Sequence, residues 1–125
     1  MKTIVDWQQG EWDSDNVATT SVNYIAALNG IIAEYKRVGI LRTRNVMFIH
    51  QCSRISETTG NRNNVRNPQA ALPDGFLVRA GADIDTIPVG EANANRYDGT
   101  HFTATGAQLQ SGLKKPILEN FITNG

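Results

Sequence analysis

The chain has 125 residues, of which 40% are hydrophobic and 19% charged, with 12 Lys and Arg balanced by 12 Asp and Glu. That is the length of one domain and a globular composition, and zero net charge offers no basic face for a nucleic-acid partner. The apolar runs reach only about five residues, too short to span a membrane or to form a signal peptide core, and one Cys with two His excludes an intrachain disulfide, a zinc finger and an iron–sulfur cluster.

Thr3-Ile4-Val5-Asp6-Trp7 is a short β-prone run that ends in a polar cluster and predicts a strand. Residues 14–20 read as a polar loop. Val22, Ile25, Leu28, Ile32 and Tyr35 then recur at spacings of three and four, which predicts an amphipathic helix. Thr20 or Ser21 caps its start, Lys36 and Arg37 suit its last turn, and Gly39 suits its end. Asn45 to His50 is a nearly continuous apolar run, as expected of a strand buried on both faces. A polar loop is expected from Ser53 to Asn64, then a short helix opening at Asn67-Pro68-Gln69 with Pro at its first position. Phe76 to Ala80 predicts a third strand. A loop of about seventeen residues leads to Asp98, a length that is uncommon and often functional. From Thr103 the spacing of Leu109, Leu113, Ile117 and Phe121 predicts a helix, kinked or split at Pro116.

Strands alternating with helices predict an α/β fold, a parallel sheet covered by helices, with ligands bound beyond the carboxyl ends of the strands. Two clusters follow strands or end long loops. Trp7-Gln8-Gln9-Gly10-Glu11-Trp12-Asp13 offers an amide donor and a permissive backbone at a site mouth, or is a polar turn between two Trp. In Asp98-Gly99-Thr100-His101, the Asp can fold back onto the His Nδ1–H, fixing the tautomer and leaving Nε2 as a general base, with Gly99 allowing the turn. The alternative is a surface turn before a helix with Asp98 near its cap. His50 and Cys52 fall at a strand end, where packing is the expected role. A metal site built from His50, His101 and carboxylates is disfavoured by their separate segments, so neither metal nor cofactor is expected.

Together the two clusters resemble the SGNH hydrolase superfamily, and within it the carbohydrate acetyl esterases related to sialate O-acetylesterases and acetylxylan esterases. The resemblance covers nearly the whole chain and implies a three-layer sandwich with a parallel sheet, the flavodoxin-like SGNH fold. It assigns Asp98 and His101 as catalytic acid and base. It assigns Gln9, with Gly10 and Glu11, to the oxyanion loop, with Gln9 as the donor. The implied substrate is an acetylated carbohydrate.

The family's nucleophile lies in a Gly-Asp-Ser or Gly-Gln-Ser motif near the start of the domain. Here Ser14, Ser21, Ser53, Ser56 and Ser111 follow neither pair, and none sits in Gly-x-Ser-x-Gly. The expectation is therefore that residues 1–125 form the C-terminal part of such a domain. The missing strands and serine would come from another chain, or a second copy would complete the sheet. A non-catalytic binding or structural module on the same half-fold, as in a virion or cell-surface component, is the competing expectation.

Overall fold

The computed structural model describes residues 2–53 and 62–124. Strand β1 (Thr3–Trp7) leads through a short helix α1 (Glu11–Asp15) to α2 (Ser21–Arg37). Strand β2 (Asn45–Gln51), helix α3 (Arg62–Ala71), strand β3 (Val78–Asp83) and helix α4 (Ala104–Asn124) follow. The three strands form an open, all-parallel sheet in the order β1-β2-β3. The protein is thus a mixed α/β domain, as the alternation of patterns implied.

The central strand organises the layers. Side chains alternate across a strand, so Met47 and Ile49 meet Tyr24, Leu28 and Ile32 of α2 and Val65 of α3 in one apolar cluster. Val46 and Phe48 point to the other face, where Phe121 of α4 closes a second cluster with Ile4, Ile117 and Leu118. Phe48 and Phe121 meet edge to face with ring centroids 5.8 Å apart, a geometry aromatic pairs favour. Helices therefore cover both faces, which is why Asn45 to His50 is buried throughout. A third cluster, Cys52, Ala82, Ile84 and Ile87 with Phe102, supports the long loop beyond the strand ends.

The expected capping of α2 is present. The Thr20 hydroxyl accepts from the Asn23 amide at 3.2 Å, and Gly39 takes φ 77° just past the end. Elsewhere the local pattern misled. The third strand begins at Val78 rather than Phe76, because the Asp74 carboxylate accepts from the amides of Phe76 and Val78 and holds that segment in a turn. It runs on to Asp83, which pairs with Gln51 of β2 past a register irregularity. Pro68 does not open its helix. It lies well inside α3, on the face that buries Val65, Pro68 and Gln69. The expected loop at Ser53 to Asn64 lies outside the described residues except at its ends, and Arg62 to Asn64 are helical. Pro116 does not split α4, which runs as one helix from Ala104 to Asn124. Part of the expected loop at 14–20 is helical, since α1 ends only at Asp15.

Candidate active site

The loop after β1 is built around Gly10. Its φ of 148° lies in the region that favours glycine, and a Cβ there would come within 2.3 Å of the Cys52 carbonyl oxygen and 2.6 Å of Val65 Cγ1. The backbone thus passes against the end of β2 and turns directly into α1. Glu11 Oε1 accepts from the Cys52 thiol at 2.7 Å. Burial, with Glu11 adding to it, pushes that thiol far above its ordinary range, so Cys52 is a packed group and no nucleophile. The Ser14 hydroxyl ties α1 to the Ser53 carbonyl. From the other side, Gln69 Nε2 and the Tyr24 hydroxyl donate to the Gln9 carbonyl at 2.7 and 3.1 Å. Burial pushes the Tyr24 phenol up to about 12, which keeps it a donor.

Gln9 itself is engaged. Its Nε2 donates to Asp13 Oδ2 and its Oε1 accepts from Tyr24 at 3.3 Å. Glu11 and Asp13 thereby organise the loop.

The second segment is a narrow turn pinned from beneath. Residues Arg96 and Phe102 bridge antiparallel, Tyr97 donates to the His101 carbonyl at 3.1 Å and Thr103 to the Asn95 carbonyl at 3.0 Å. Gly99, at φ 86°, makes the tip. Asp98 Oδ2 lies 2.6 Å from His101 Nδ1, and Asp98 Oδ1 accepts from the amides of Thr100 and His101 at 2.9 and 2.7 Å. These bonds, led by the imidazole's, lower the Asp98 carboxyl to about 2. An ionised Asp98 only accepts, so Nδ1 carries the ring proton. His101 Nε2 has no partner among the described residues.

One residue absent from the sequence expectations sets this turn in place. Arg96 is fully buried. It donates to the carbonyls of Thr100, Ile84 and Ile87 and lies 4.0 Å from the Phe102 ring centroid. An Arg in a polar loop gives no sign of burial; only the three carbonyls converging on it do.

The two segments meet. Gln9, Gly10, Glu11 and His101 line one cavity of about 460 Å³, together with Trp12 and Phe102. Its position beyond the carboxyl ends of β1 and β2 is where ligands bind in open parallel sheets. Asp98 buttresses His101 without lining it. No serine lines the cavity among the described residues. Ser14 is buried, Ser53 is bonded to Asp85 at 2.6 Å, Ser21 starts α2 and Ser111 lies on α4, while Ser56 lies outside the described residues.

Two further polar groups brace the strand ends: Asp85, which escaped the sequence reading, and His50, which packs as expected. Asp85, buried, receives Ser53, Arg62 and Arg66, which joins the end of β2 to α3 and β3. His50 is locked between Asp6 and the Ala82 amide, with Lys114 on the other oxygen of Asp6. Among the described residues no group of three His, Cys, Asp or Glu is placed to hold a metal ion, and no helix is long and apolar enough to cross a membrane. No protein-family model, curated protein or solved structure matches the chain.

Proposed function

We propose that this chain supplies the acid–base half of a serine esterase acting on acetylated carbohydrates, on an SGNH-type sheet. The observation that carries the reading is the Asp98–His101 pair, with its 2.6 Å bond, beside the Gln9 loop in one cavity. In the reaction, His101 Nε2 takes the proton of an attacking serine hydroxyl and delivers it to the leaving sugar oxygen as the acetyl group passes to the serine. It then takes a proton from the water that hydrolyses the acetyl-serine and hands it to the serine oxygen as acetate leaves. Asp98 holds the tautomer and stabilises the imidazolium. Gln9 releases Asp13 on substrate binding and donates to the oxyanion. The serine comes from outside the sequence given, in a segment or chain that pairs with the free edge of β1. Among the described residues that edge strand has β2 alone as a neighbour, and an unpaired edge invites a further strand.

The test is an ester-hydrolysis assay on acetylated sugars. The isolated chain should turn over substrate no faster than imidazole does, and should sediment as an oligomer or with a partner. Adding a polypeptide that carries a Gly-Asp-Ser or Gly-Gln-Ser motif and binds the chain should switch hydrolysis on. In that assembly Gln9→Ala should lower kcat by about 100-fold with KM little changed. Rapid turnover by the isolated chain, lost in His101→Ala, would place the nucleophile within it. A monodisperse, cooperatively melting monomer would remove the need for a partner.

A second reading is favoured by the Gln9 amide being spent on Asp13 and by the absence of serine from the described lining. On that reading the cavity binds a sugar without hydrolysing it. An assembly that binds acetylated sugar yet never releases acetate would decide for it.

A further inference from the structure

The cavity holds two features that neither the Asp98–His101 pair nor Gln9 requires. Trp12 stands at its side with 76% of its surface exposed. A large ring left open at the mouth of a polar cavity offers a flat apolar face to a ligand held there. The second feature is charge. Among the described residues, the ionisable groups lining the cavity are Glu11, Asp15 and His101, with no Lys or Arg. Glu11 is held in position by the Cys52 thiol, and Asp15 has no hydrogen-bond or ion-pair partner among the described residues. Arg96, buried beside the cavity, sits against the Phe102 ring and donates to backbone carbonyls.

A pyranose presents a flat face of C–H bonds and a rim of hydroxyls. The face matches the Trp12 ring, and the rim matches acceptors and amides such as Asp15, Glu11 and Gln8. A sugar that carries its own carboxylate would instead bring a third negative charge beside two, with no Lys or Arg among the described lining residues to offset it. Such an unfavourable pairing discriminates as strongly as an attractive contact.

We infer that Trp12 is the platform for a neutral pyranose and that Glu11 and Asp15 reject sugars bearing a carboxylate. The inference rests on the cavity being a sugar site. It separates neutral acetylated sugars of the xylose type from acetylated sialic acids as the class served.

Two tryptophans make the test direct. The chain is labelled with nitrogen-15, in whatever assembly it purifies in, and the indole and imidazole signals are followed by NMR. One titration uses a mono-acetylated methyl xyloside and another a mono-acetylated methyl sialoside. The xyloside should shift the Trp12 indole and the His101 ring together while the Trp7 indole, half-buried beneath α2, serves as reference. The sialoside should bind at least about ten-fold more weakly. Asp15→Asn with Glu11→Gln should narrow that gap, and Trp12→Ala should weaken the xyloside by about ten-fold without altering the fold. Equal or tighter sialoside binding that still shifts His101 would overturn the inference while leaving the sugar-site reading standing. Unchanged xyloside affinity in Trp12→Ala would overturn the platform. If neither probe moves the His101 signals, the sugar-site reading falls and this inference with it.

Discussion

Both histidines of the chain are bonded to an aspartate, His50 to Asp6 and His101 to Asp98, and their surroundings differ in every other respect. The His50 side chain is completely buried, whereas that of His101 is 68% exposed. Ala82 donates its amide to His50 Nδ1 at 2.8 Å, so Nε2 carries the proton that goes to Asp6. Both ring nitrogens are spent. In His101 the tautomer is reversed, Nδ1–H facing Asp98, and Nε2 stays available. An Asp beside a His is therefore no mark of catalysis by itself. What separates a structural pair from a reactive one is whether the second nitrogen has an accessible lone pair.

The comparison breaks most sharply on substitution. In an assembly that hydrolyses sugar acetates, His101→Ala should cost about 10³-fold in kcat and leave the denaturation midpoint nearly unchanged, because an exposed side chain contributes little to stability. His50→Ala should do the reverse. It opens a cavity and strands the Ala82 amide, at a cost of about 3 kcal/mol in urea unfolding. A comparable kcat loss in a well-folded His50→Ala would erase the distinction.

Gly81→Ala probes the same buried pair through its neighbour. A Cβ there would fall 2.5 Å from His50 Nδ1, with the ring's carbon atoms close behind. The ring has no room to retreat, so a loss of about 2 kcal/mol is expected, again with catalysis in the assembly retained. A neutral effect would mean that the ring shifts freely.

The smallest effect is in pH. Burial, and after it the Lys114 ammonium, push His50 below its ordinary range against the pull of Asp6. Below pH 6.5 the unfolded chain binds a proton at His50 that the folded chain does not, so stability should fall as pH drops from neutrality through that range. Asp98, depressed to about 2 from 3.8, loses its contribution only below pH 3.8 and leaves this window clear. Urea midpoints at about pH 7.5 and about pH 5.5 should therefore differ less in His50→Gln than in the native chain. An unchanged slope in His50→Gln would assign the pH response to another group.

Much of the frame was legible in the residues themselves. The spacing of Leu28 and Ile32 gave α2, and the unbroken apolar run gave β2, because burial writes its period directly into the chain. The Asp98–His101 contact follows from a separation of three with glycine between, a local geometry that needs little from the rest of the fold. The polar sequence of α3 hid its first turns, since only Val65, Pro68 and Gln69 face inward, and the Asp74 turn moved β3 by side-chain bonds that no propensity records.

What the sequence determined by itself are the contacts between near neighbours and the alternation that makes a parallel sheet. The tertiary structure alone decided that His50 takes Asp6, forty-four residues away, as its partner, and that Arg96 is the buried support of the His101 turn. It also brought Gln9 and Trp12 to the same cavity as His101, across more than eighty residues of chain. Those outcomes depend on strand register and on which carbonyls converge on a side chain, and both are fixed only when the sheet and its helices pack together.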